Sequence, residues 1–223
     1  MTARTLLCWS GLTAIVAGVL EALFAVLDFL LFPPSQPFIQ PSSLSFSQQA
    51  ATNTWVIEQV VNWVAKVFLL WALVGLYSRQ AKETGVLGFI AFLLSFVGIT
   101  LVFGTIWGYF LLAPGFAKVA PAFLDAGGTQ FSLLPGLVGL ILPFALALLG
   151  FLLFGVASLR AKVFPRWAAV LFILFPPLFV VKGFIPLPSI ADIAFGAGLV
   201  WMGYTLWAEQ RGLARQRAVA AVS

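Results

Sequence analysis

The stretches GLTAIVAGVLEALFAVLD, residues 11–28, and EQVVNWVAK, residues 58–66, decide how this chain folds. In the first, Gly11, Ala14, Gly18, Glu21, Ala25 and Asp28 recur at spacings of three and four, which puts them on one face of a helix. In the second, Glu58, Asn62 and Lys66 recur every four residues and also share a face. Nearly everything around them is apolar. Helices that are apolar on most sides and carry charge on one stripe need lipid outside and protein within.

Composition extends that reading to the whole chain. Of 223 residues, 62% are hydrophobic and 9% charged, against roughly 45–50% and about 25% in soluble proteins. The net charge of +5 is scattered over short interhelical segments and a tail, so it points to membrane topology and not to nucleic acid. Histidine is absent and Cys8 is the only cysteine. No metal site, catalytic residue or cofactor is therefore expected, and no HExxH, Walker or dinucleotide fingerprint occurs.

Apolar runs give an all-α polytopic bundle of six spans, at about residues 5–32, 54–77, 84–112, 133–159, 167–185 and 190–208, with a basic tail over 209–223. The first run is too long for a signal-peptide core and reads as a retained span. Small residues Gly88, Ala91, Ser95, Gly98 and Thr105 make a packing stripe on the third span, with Gly104 and Gly108 as a second small contact. Pro143 predicts a kink in the fourth span, and Pro176-Pro177 predicts a break in the fifth. Between the third and fourth spans, Phe116, Val119, Ala120, Phe123 and Leu124 have helical spacing, as for a segment lying on the membrane surface.

Orientation follows from the basic residues. Arg4, Arg79, Lys82, Arg160, Lys162, Arg166, Arg211, Arg215 and Arg217 all fall on one side of a six-span chain, while Lys118 and Lys182 fall on or near the other. This predicts an inner (cytoplasmic) membrane protein with both termini in the cytoplasm. Gly75-Leu76-Tyr77-Ser78-Arg79, Gly155 to Arg160 and Gly203 to Trp207 end the even spans alike. Three helical-hairpin pseudo-repeats would give that pattern, as would a shared preference of cytoplasmic helix ends. The openings Cys8-Trp9-Ser10-Gly11-Leu12 and Pro165-Arg166-Trp167-Ala168 resemble those of uncharacterised bacterial integral membrane proteins. The resemblance implies a bacterial six-helix protein and no activity.

Six ionisable residues fall in or beside the spans, and each isolated charge at mid-bilayer costs about 2.5–3.5 kcal/mol on insertion scales. Counted from the outer ends, Glu21 and Lys66 both lie roughly 17 Å deep, at one level, so they are expected to pair. Asp28 and Glu58 share a shallower level, and with Asn62 they would line an outward-opening polar cavity floored by Glu21–Lys66. Lys182 and Asp192 flank the last outer turn and form a candidate outer ion pair. Trp107 and Tyr109 are possible pocket-lining aromatics. Two functional classes stay open. A non-catalytic accessory or scaffold subunit of a larger membrane complex stands ahead of a small-solute or lipid-binding transport protein using that cavity. Expected partners are membrane lipids and other membrane subunits or further copies of the chain, with no nucleic acid.

Overall fold

The computed structural model describes residues 3–31, 45–125, 137–182 and 190–220. Every regular element among them is helical, and no strand occurs. In chain order these are α1 (Ala3–Leu31), α2 (Phe46–Ala50), α3 (Asn53–Thr105), a π-turn at Ile106–Phe110, α4 (Ala113–Val119) and α5 (Pro121–Asp125). A second π-turn at Leu137–Ile141 precedes α6 (Leu142–Ala161), α7 (Arg166–Lys182) and α8 (Ile190–Ala220). Four segments are long and apolar enough to cross a membrane: Thr5–Leu31, Asn53–Val119, Leu142–Ala161 and Ile190–Gly212. Arg166–Val181 is apolar but shorter. Large apolar side chains such as Val19, Ile57, Trp71 and Val86 are exposed, whereas Glu21, Glu58, Gln80 and Asp192 are buried. Apolar outside and polar inside is the build of a membrane protein.

The 53-residue α3 is not one rod. Gly85 sits at φ 57° and ψ −142°, a conformation open to glycine and strained for other residues, and the chain reverses there. Tyr77 stacks on Phe92 with ring centroids 4.6 Å apart, and Trp63 on Phe103 at 4.9 Å, so arms 53–84 and 86–105 run antiparallel. The expected loop at 78–83 is helical to its end, because Arg79, Gln80, Ala81, Lys82 and Glu83 are all good helix formers. α8 likewise runs on past residue 208, through the expected tail to Ala220.

Neighbours in sequence are neighbours in space, and α1 packs on α8 to close the ring. Small residues set these approaches. A Cβ added at Gly11 would meet the Gly203 carbonyl at 2.9 Å, and one at Gly18 would collide with the Gly196 carbonyl. One at Gly98 would strike the Ala147 backbone and one at Gly150 the Ser95 backbone. Of the expected stripe, Gly88, Ala91, Ser95 and Gly98 are buried and Thr105 is not. Gly104 and Gly108 have nothing within 4 Å of an added Cβ, so the second small contact does not form.

Two proline expectations come out differently. Pro143 lies in the first turn of α6, and the irregularity stands just before it as the π-turn. Its missing N–H would have served the Gly139 carbonyl, which instead accepts from the Thr105 hydroxyl at 2.9 Å. The break expected at Pro176-Pro177 is absent: α7 is helical from Arg166 to Lys182 with both prolines inside. Phe172, Phe175 and Phe179 pack before, beside and after the pair. That aromatic wall holds the helix on its path despite two missing donors.

Candidate functional site

The ring encloses a cavity of about 280 Å³ to which α1, both arms of α3, α6, α7 and α8 all contribute. Its two walls differ in chemistry. Glu21 and Asp28 from α1, Glu58, Asn62 and Lys66 from α3, and Asp192 from α8 form one. Phe144 and Phe151 from α6, Phe175 and Phe179 from α7, and Phe195 from α8 form the other. The phenylalanines make a continuous chain of ring contacts: Phe151–Phe195 centroids are 4.6 Å apart, Phe175–Phe195 4.5 Å, Phe175–Phe179 5.7 Å and Phe144–Phe179 5.9 Å.

All five residues of the candidate polar cavity line it. Lys66 Nζ donates to Glu21 Oε1 at 2.5 Å, with the Glu21 side chain 2% exposed and that of Lys66 13%. Helical spacing makes this possible, since each residue sits on the buried stripe of its own helix and the helices run antiparallel. Glu58 and Asn62 are buried on the same stripe, and the Asn62 amide oxygen has no hydrogen-bond partner. The candidate outer pair is resolved on one side only. Asp192 is buried in this cavity, close enough to Glu21 to act on it electrostatically. The Lys182 side chain lies outside the described residues.

At the end of the bundle nearest Trp55 and Phe110, short helices pack over the ring. Ala50, Trp55, Ala113 and Leu124 form a small core of their own, with Phe46, Phe110 and Ala117 against it. Asp125 ties the cap together, accepting from the Ser47 backbone N–H at 2.8 Å and from the Ser47 hydroxyl at 2.7 Å. Those two bonds, the backbone one foremost, hold the Asp125 carboxyl below the usual carboxylate range. The Trp55 indole N–H donates to the Phe110 carbonyl at 2.9 Å, at the end of the first π-turn. Of the residues with helical spacing here, Phe116, Val119 and Phe123 are exposed and Leu124 is buried in the cap core, and Ala120 breaks the run at φ −149°, ψ 59°. At the opposite end, Gln80 accepts from the Ser158 hydroxyl at 2.8 Å in a fully buried contact. Arg79 grips Glu209 there through two 2.9 Å bonds.

Set against protein-family models, curated proteins and solved structures, the chain matches none. The site has to be read from its own chemistry.

The sequence did not point to the phenylalanine wall, because in a chain with 23 Phe no spacing sets five of them apart. Nor did it point to the two π-turns, the first of which supplies Ile106 and Phe110 to the cavity. Trp107, a candidate lining residue, is exposed and leans on Trp63, while the Tyr109 side chain lies outside the described residues. Among the described residues, no three carboxylates or thiols converge as a metal-binding group.

Proposed function

We propose that the chain is a six-span protein of the bacterial inner membrane that binds a small cationic solute in its central cavity and carries it across. Counting the two arms of α3 separately, and α7 as a span, gives six helices. Both chain ends, the Gly85 turn and the 162–165 turn then share one side, with Arg79, Lys82, Arg160, Lys162 and Arg166. The positive-inside bias makes that side cytoplasmic. The cap of α2, α4 and α5 then lies on the outer side.

The observation that carries the reading is the charge of the cavity wall. Among the described lining residues it has four carboxylates, Glu21, Asp28, Glu58 and Asp192, and one ammonium, Lys66. Four carboxylates grouped around one ammonium beside a wall of Phe make a strongly negative lining in low dielectric. Protons or a bound cation relieve it, and exchange between the two couples cation movement to protons. An accessory subunit that only filled space in a complex would be better served by a packed apolar interior. No catalytic role is proposed.

Charge movement tests this. Protein reconstituted in liposomes on a solid-supported membrane should give a transient current on a jump in ethylammonium concentration. Asn62→Leu and Glu58→Gln should abolish it while both variants stay monodisperse. A wild-type protein that gives no current, and purifies only with other membrane chains, returns the function to the accessory-subunit reading.

A further inference from the structure

The two unlike walls narrow the solute further, and the inference rests on the cation-binding reading above. We infer that the solute is an amphiphilic organic ammonium: a protonated amine on an aromatic or branched apolar body, bound across the cavity.

The polar wall fits an ammonium head. Asn62 is buried, faces the cavity, and its amide oxygen has no partner. An unmet acceptor in an apolar interior seeks a donor, and an ammonium group is donor-only with three N–H bonds to give. The surrounding carboxylates supply the countercharge. They do not converge on one point as a metal-binding group. A hard divalent ion such as Ca²⁺ or Mg²⁺ needs six or more oxygens in one shell, so the spread of donors favours a head that contacts one or two at a time.

The aromatic wall fits an apolar body. Phe144, Phe151, Phe175, Phe179 and Phe195 present ring faces and edges and no hydrogen-bonding group. A hydrated inorganic cation gains little beside them, whereas an alkyl or aryl body is desolvated there favourably. Ring faces also attract an ammonium that sits over them. The volume sets the scale. A cavity of about 280 Å³ equals roughly nine water volumes, just below the usual range for drug-sized ligands. A one-ring amine fills it.

Isothermal titration of the full chain in nanodiscs, with four probes, tests both halves. The probes are 2-phenylethylammonium, ethylammonium, neutral 2-phenylethanol and anionic 3-phenylpropionate. The expected result is 2-phenylethylammonium binding at least tenfold more tightly than any of the other three. Phe179→Ala, at the half-buried edge of the aromatic wall, should narrow its lead over ethylammonium. Asn62→Leu should weaken both amines. Equal binding of the two amines, lost in Asn62→Leu, overturns the apolar body and leaves cation binding standing. Equal binding of phenylethanol or phenylpropionate overturns the ammonium head. Binding of no amine overturns the cation-binding reading together with this inference. The four-probe comparison on the unmodified protein decides the matter even where a variant fails to fold.

Discussion

Lys66 and Glu21 are 45 positions apart and meet at 2.5 Å inside the ring. Their common depth could be counted from the sequence, because helix rise is fixed and the outer loop joins their two helices. Removing either charge leaves the other buried, so Glu21→Leu or Lys66→Leu alone should cost about 3–5 kcal/mol. The double change should cost far less, and a double-mutant cycle on the thermal midpoint checks the difference. Thr105→Val should cost about 1–3 kcal/mol by leaving the Gly139 carbonyl without its donor, read as a lowered midpoint. That contact was not legible beforehand. Pro143 announced a missing donor, but nothing in the spacing said which side chain, 34 positions away, would answer it.

The turn at Gly85 offers a clean comparison between glycines. Neither Gly85 nor Gly104 has an atom within 4 Å of an added Cβ, but only Gly85 has positive φ. Gly85→Ala should therefore lose about 1–3 kcal/mol through backbone strain alone. Gly104→Ala should be neutral or gain up to roughly 1 kcal/mol from helix propensity. Thermal unfolding of the two variants side by side measures this. The outer cap responds to acid. The folded Asp125 carboxyl is held below its unfolded value, so its contribution is complete above about pH 3.9 and falls away as the pH drops through the lower folded value. Hydrogen exchange over residues 45–51 should quicken in that window, and Asp125→Asn should show the quick exchange already at neutral pH. Helices such as α1 and α6 were readable as long apolar runs. The unbroken α7 was not, since local proline rules predicted a break and Phe172, Phe175 and Phe179 pack along the helix through it.

For the whole molecule, the basic residues predict sidedness, and chemical labelling tests it. In a Cys8→Ala background, a cysteine at exposed Gln48 should react with an impermeant thiol reagent added to intact cells. One at exposed Ser78 should react only after the membrane is opened. Labelling of residue 78 from outside would invert the proposed topology. The polar wall was legible because its five charged residues stand out at once in an apolar chain. The aromatic wall and the closure of the ring were not. Both depend on which faces of six helices meet, and stripes of small residues on α1 and α8 do not name their partners in advance.

Because α1 and α8 are nearest neighbours, α1 is synthesised well before its main partner arrives. Until then Gly11 and Gly18 have no helix against them, and the cavity wall lacks Asp192 and Phe195. During biogenesis the nascent protein is thus an open arc, with the Glu21–Lys66 bond as its earliest polar clasp. The final helix acts as a keystone. A chain stopped after Lys182 should remain an arc and be cleared by membrane quality control, whereas α8 supplied as a separate peptide should be able to complete it.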